Sequence, residues 1–146
     1  MTMNNPTVQL DDLNAVAQQL HDTPWLIACL CAAWCDTCQA YRHQFNELST
    51  KHQDKAFAWV DIEDHADLID ELDIENFPTI LIEYQAKILF LGTMLPDANL
   101  VHKLIGNYQS IIDEKSATAI TSSIQENNQD IDSHWNLSTR LRALNK

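Results

Sequence analysis

The sequence predicts an α/β protein with a central mixed sheet, helices on both of its faces, and a helical C-terminal extension. Three observations lead there. The run Trp25-Leu26-Ile27-Ala28-Cys29-Leu30-Cys31 is apolar throughout, which suits a strand covered on both faces rather than one with a wet side. Segments whose apolar residues recur at helical spacing alternate with short strand-like runs. The last two runs, Thr79 to Ile82 and Ile88 to Leu91, are joined through Gln85 and Ala86, close enough to form a hairpin.

Each element has its own justification. Asp11 and Asp12 can cap a first helix carrying Leu13, Val16, Ala17 and Leu20 on one face, which Pro24 stops. The Trp25 to Cys31 strand follows. A second helix bears Tyr41, Phe45 and Leu48 on one stripe and ends near Gln53. Phe57 to Ile62 reads as a strand, and Ala66 to Leu72 as a short acidic helix. After the hairpin, Asp97 can cap a helix whose inner face holds Leu100, Val101, Leu104 and Ile105. From Ser116 to Ser133 the chain is rich in Ser, Thr, Asn and Gln. Even so, Ile120, Ile124, Ile131, Trp135, Leu141 and Leu144 recur at near-helical spacings, which predicts one or two amphipathic helices packing on the parent domain or presenting a partner surface. The expected division is therefore 1–112 for the α/β domain and 113–146 for the extension.

Composition narrows the functional classes. With 9 basic against 21 acidic residues the net charge is −12, a field that repels phosphate backbones and anionic headgroups, so neither nucleic acid nor a membrane surface is an expected partner. No apolar run approaches the roughly 18 residues of a membrane span, and Met1 to Leu10 does not read as a secretory leader. A cytoplasmic location is expected. Four cysteines in a reducing compartment point to redox or metal chemistry rather than to a disulfide scaffold.

Two of the four, Cys35 and Cys38, form a C-x-x-C at the corner between the apolar strand and the second helix. Three chemistries could want that arrangement: a reversible dithiol, half of a zinc site, or simple burial. At a helix start, unpaired N–H groups and the positive end of the dipole favour a thiolate on the first cysteine. Cys35 is the expected nucleophile and Cys38, one turn in, the expected resolving cysteine, since thiol–disulfide exchange needs one thiolate to attack and another to release the mixed disulfide. A zinc site wants a second pair a dozen or more residues away. Cys29 and Cys31 supply only a C-x-C inside the strand, and inert core packing is the favoured reading of both. The six histidines show no ligand spacing, and the acidic run from Asp61 to Glu75 lacks the glycine and spacing of a calcium loop. No metal and no organic cofactor are expected.

Trp34-Cys35 with Cys38, then Phe77-Pro78-Thr79 about forty residues later, a hairpin strand ending in Gly92 and a last amphipathic helix together resemble the thioredoxin family over about Val8 to Ile112. The resemblance implies a thioredoxin-like fold and a protein thiol–disulfide oxidoreductase acting as a reductant on protein disulfides, recharged by a flavin-dependent thioredoxin reductase. It also implies that Pro78 is a cis-proline facing the sulfurs and that the Phe77 backbone pairs with an extended substrate. Trp34 would cover one side of the disulfide, Asp36 and Thr37 would lie against the substrate, and Gly92 would let a partner backbone approach.

Departures from the family pattern matter as much. Where that pattern has a buried acid before the motif and a partnering lysine, this chain aligns Cys29 and Trp59; where it has Gly-Pro between the cysteines, this chain has Asp36-Thr37. A carboxylate next to Cys35 opposes its ionisation by like-charge repulsion. Strand periodicity puts Cys29 and Cys31 on one face, so a third thiol lies behind the redox pair. Two other classes follow from these departures: a thioredoxin-like binding or chaperone module with little redox activity, and a metal or cluster carrier using all four cysteines.

Overall fold

All seven side chains from Trp25 to Cys31 are buried in a computed structural model of the protein, which describes residues 10–69, 77–114 and 137–144. These seven form strand β1. The elements run in the order α1 (Leu13–Gln19), β1 (Trp25–Cys31), α2 (Asp36–Lys51), β2 (Ala56–Asp61), α3 (Ala66–Ile69), β3 (Thr79–Tyr84), β4 (Lys87–Thr93), α4 (Ala98–Glu114) and a final helix, α5 (Leu137–Leu144). The expected alternation is the one observed. Of the predicted C-terminal stripe, Ile120, Ile124, Ile131 and Trp135 lie outside the described residues.

The sheet order is β2-β1-β3-β4. Strand β1 pairs in parallel with β2, with Cys29 opposite Trp59, and antiparallel with β3, with Cys29 opposite Ile80. β3 and β4 form the hairpin, Tyr84 opposite Lys87. Gln85 and Ala86 turn it with φ of 51° and 61°, the two left-handed residues that a tight hairpin turn matching the strand twist requires. The Phe77–Pro78 peptide bond is cis.

Because side chains alternate across a strand, the central position of β1 divides the core in two. Its odd-numbered residues, with Cys38, Tyr41, Phe45 and Leu48 of α2 and Val101 and Ile105 of α4, form one cluster. Its even-numbered residues, with Leu13, Val16 and Ala17 of α1, Leu68 and Ile69 of α3 and Leu137 and Leu141 of α5, form the other. Helix starts follow local capping chemistry. Asp12 accepts from the Ala15 amide at 3.3 Å, and Asp97 accepts from the Asn99 amide at 2.9 Å, each satisfying an otherwise orphaned N–H.

α5 is held by a group that strand patterning hides. Glu83, near the end of β3, has no exposed surface. Its carboxylate accepts from the Leu137 amide at 2.7 Å, the Ser138 amide at 3.1 Å and the Ser138 hydroxyl at 2.6 Å. Burial raises its pKa, while these donors and then Arg142 pull the other way. At a helix N-terminus a carboxylate meets both free N–H groups and the positive end of the dipole. Arg142 donates to the Leu20 carbonyl at 3.2 Å and Arg140 to the Asp67 carbonyl at 3.1 Å, fastening the helix to α1 and α3. Leu141, considered above for a partner surface, is fully buried in the chain's own core. Among the described residues, no helix is long and apolar enough to cross a membrane.

Candidate functional site at the β1–α2 corner

Strand β1 ends at Cys31, and the chain turns through Ala32, whose carbonyl accepts from the Cys35 amide at 3.0 Å. Cys35 is the N-cap of α2, in an extended conformation with no side-chain capping bond. Its carbonyl accepts from the Gln39 amide at 3.1 Å, which starts the helical ladder. Cys35 is half-buried and carries a free thiol. Asp36 and Thr37 are exposed, and Cys38 points inward with 1% of its surface accessible.

Cys38 is bonded to Cys31, across a Cα–Cα distance of 6.0 Å. The pairing differs from the expected one in two respects. In this structure the sulfur that Cys38 joins is the one at the end of the strand rather than that of Cys35, and Cys31 is a disulfide partner rather than inert packing. The reason is geometric. Cys31 is the last residue of β1 on the face that α2 covers, and Cys38 lies in the first turn of α2 on the side facing the sheet, within the Cα spacing a disulfide spans. Cys29, one pleat deeper on the same face, keeps a free thiol with its sulfur 3.4 Å from that of Cys31. Burial pushes the Cys29 thiol pKa far up, so it stays protonated.

The surface around Cys35 is aromatic. Trp34 is 64% exposed, and its ring meets that of Phe77 edge to face at 5.6 Å. Sequence reasoning placed both near the sulfurs, and the fold brings the two rings together. Pro78 follows Phe77, and its carbonyl accepts from the Met94 amide at 3.3 Å just past the end of β4. Gly92 lies opposite Ile80, and a Cβ built there would lie 3.3 Å from the Phe90 ring. Its missing side chain makes room for Phe90.

Behind the motif, a cavity of about 440 Å³ reaches Cys38 and is walled by Ala32, Arg42, Trp59, Asp61 and His65. Arg42 stands over the Trp59 ring, 5.3 Å from its centre, and pairs with Asp11 at 2.7 Å. Elsewhere His52 and His102 meet at 2.9 Å, a pairing that one-dimensional spacing could not disclose. No group of three or more His, Cys, Asp or Glu able to hold a metal ion occurs among the described residues.

The thioredoxin family profile matches residues 7–104, two thirds of the chain. Thioredoxin H9 of Arabidopsis thaliana is 27% identical over 114 residues, covering 78% of this chain and 72% of that protein. Thioredoxin domain-containing protein 2 of Mus musculus is 42% identical over 48 residues, 33% of this chain and 9% of that protein. The chain thus spans only a small part of that mouse relative and of its rat counterpart, again 9%. Among solved structures, thioredoxin from Schistosoma mansoni superposes with a TM-score of 0.56 at 22% identity, covering 69% of this chain and 92% of the other. Thioredoxin f2 from Chlamydomonas reinhardtii gives 0.56 at 21% identity over 70% and 95%. With the βαβ corner, the C-x-x-C at the start of α2 and the Phe77-Pro78-Thr79 turn already in place, the chain belongs to the thioredoxin family.

Proposed function

We propose that the protein is a protein thiol–disulfide oxidoreductase that works as a reductant in the cytoplasm. The observation that carries this reading is the free, half-buried Cys35 thiol at the N-cap of α2, beside an exposed aromatic pair and one helical turn from Cys38. In the reaction, which starts once a reductase has opened the Cys31–Cys38 disulfide to thiols, the Cys35 thiolate attacks one sulfur of a client disulfide. The client's other sulfur leaves as a thiolate, and a mixed disulfide remains. The Cys38 thiolate then attacks Cys35 Sγ and expels the second client thiolate. Two electrons pass from the protein dithiol to the client. Trp34 and Phe77 offer apolar contact to an extended client segment, with Pro78, Asp36 and Thr37 at its border. A thioredoxin reductase returns the electrons.

A redox titration against glutathione and dithiothreitol, run beside an insulin-reduction assay, tests the reading. The expected result is a two-electron transition near the reducing end of the family range, about −270 mV, with insulin reduced in the presence of dithiothreitol. A potential near about −120 mV would make the protein a disulfide donor instead. A titratable dithiol that leaves insulin untouched would favour the binding-module reading, which Cys29 opposite Trp59, in place of an acid and a lysine, makes the natural second choice.

A further inference from the structure

Cys31 has no part in the exchange just described, yet its sulfur is the one bonded to Cys38. We propose that Cys31 is a second resolving cysteine, which takes the disulfide from the Cys35–Cys38 pair into the core and returns Cys35 to the free thiol. The inference rests on the oxidoreductase reading above and adds one step to it. The Cys31 thiol, as thiolate, attacks Cys38 Sγ. The Cys35–Cys38 bond breaks, a Cys31–Cys38 bond forms, and the proton given up by Cys31 ends on Cys35. One disulfide is exchanged for another, so no electrons are gained or lost and no other reactant is needed.

The placement of the four sulfurs supports this order of events. Cys38 can be approached from two directions, from Cys35 along the first turn of α2 and from Cys31 at the end of β1. Cys31 and Cys38 are each 1% exposed, whereas Cys35 is half-buried. A disulfide between the two inner cysteines is therefore less open to external thiols than Cys35, and attack of Cys35 on Cys38 draws the bond back to the surface. Cys29 faces the same space, 3.4 Å from Cys31. It sits two residues back along one extended strand and is the most deeply buried of the set, so it serves Cys31 as a neighbouring S–H group rather than as an acceptor of the disulfide.

The test maps the disulfide in the full-length protein. Wild-type protein oxidised by glutathione disulfide is quenched in acid, denatured, and labelled with maleimide at acid pH so that nothing reshuffles. Cleavage before Asp36 separates Cys38 from the other three cysteines, and fragmentation of the linked peptides identifies its partner. The expected result is Cys38 joined to Cys31, with maleimide on Cys29 and Cys35. In Cys31→Ser and Cys31→Val the label on Cys35 is expected to be lost, because the disulfide can then rest only on Cys35 and Cys38. Wild-type chains linked Cys35 to Cys38, with the label on Cys31, would overturn the inference while leaving the oxidoreductase reading intact. Absence of any disulfide across the glutathione range would remove both. The wild-type map decides the matter even if the variants fail to fold.

Discussion

Cys35→Ser is expected to abolish insulin reduction, lowering turnover by roughly a thousandfold or more, the scale on which loss of an attacking nucleophile is felt. A serine hydroxyl does not ionise near neutral pH, so no mixed disulfide forms. Cys38 and Cys31 cannot take its place, because each has 1% of its surface accessible. Stability should hardly change, since Cys35 makes no side-chain capping bond at the start of α2 and serine is a favoured N-cap. The informative comparison is Cys38→Ser, which should retain the attack and accumulate a covalent complex with client, visible on a non-reducing gel. Residual turnover in Cys35→Ser above about a tenth of wild type would mean that another thiol attacks first.

The second large effect is on stability. Glu83→Ala removes the acceptor for two amides and one hydroxyl at the start of α5. Unpaired buried donors are costly, at about 1–3 kcal/mol each, and this is partly offset by no longer burying a carboxylate. The expected net loss is about 3 kcal/mol, or roughly 10 °C in Tm for a chain of this size. Urea unfolding reads the loss, and amide exchange locates it: Leu137 and Ser138 should lose protection while β1 changes far less. A loss under about 0.5 kcal/mol, with both amides still protected, would show that α5 is held by Leu137 and Leu141 alone.

Glu83→Gln separates charge from shape. Burial raises the folded-state pKa of Glu83 above the ordinary glutamate value of 4.5. As pH climbs past 4.5, the unfolded chain releases this proton before the folded one does. The contribution of Glu83 to stability is therefore complete below about 4.5 and declines until the raised folded value is passed. The urea midpoint of wild type relative to Glu83→Gln should accordingly be highest near pH 4 and fall toward pH 7. A gap that widens with pH would mean that the three donors outweigh burial and that the carboxylate is ionised more readily in the fold.

Most of the architecture was legible because its signals are local. A seven-residue run with no polar interruption suits a strand covered on both faces, as β1 is, and Tyr41, Phe45 and Leu48 mark the buried face of α2 through their spacing. What escaped notice depends on residues far apart in the chain. Glu83 lies one residue past the run Thr79 to Ile82, where nothing in the sequence assigns it a role; its partners lie 54 and 55 positions away. Lys55 likewise carries no sequence signal of a role. In the fold it lies over the Trp25 ring and donates to Gln109 at 2.8 Å. At the site, strand periodicity correctly set Cys31 on the face behind the motif. Which sulfur Cys38 joins turns on the path of Ala32 to Trp34 between strand and helix, and no residue pattern encodes that path.

The position of α5 also bears on how the protein is made. Ribosomal synthesis delivers β1, β2, β3 and β4 well before residues 137–144, and for that interval the helix layer over one face of the sheet lacks Leu137 and Leu141. Glu83 then has no donors from α5, so it holds its charge in water rather than beneath a helix. A sheet formed before α5 docks would leave part of an apolar face and a hydrated carboxylate side by side, and docking of α5 covers both.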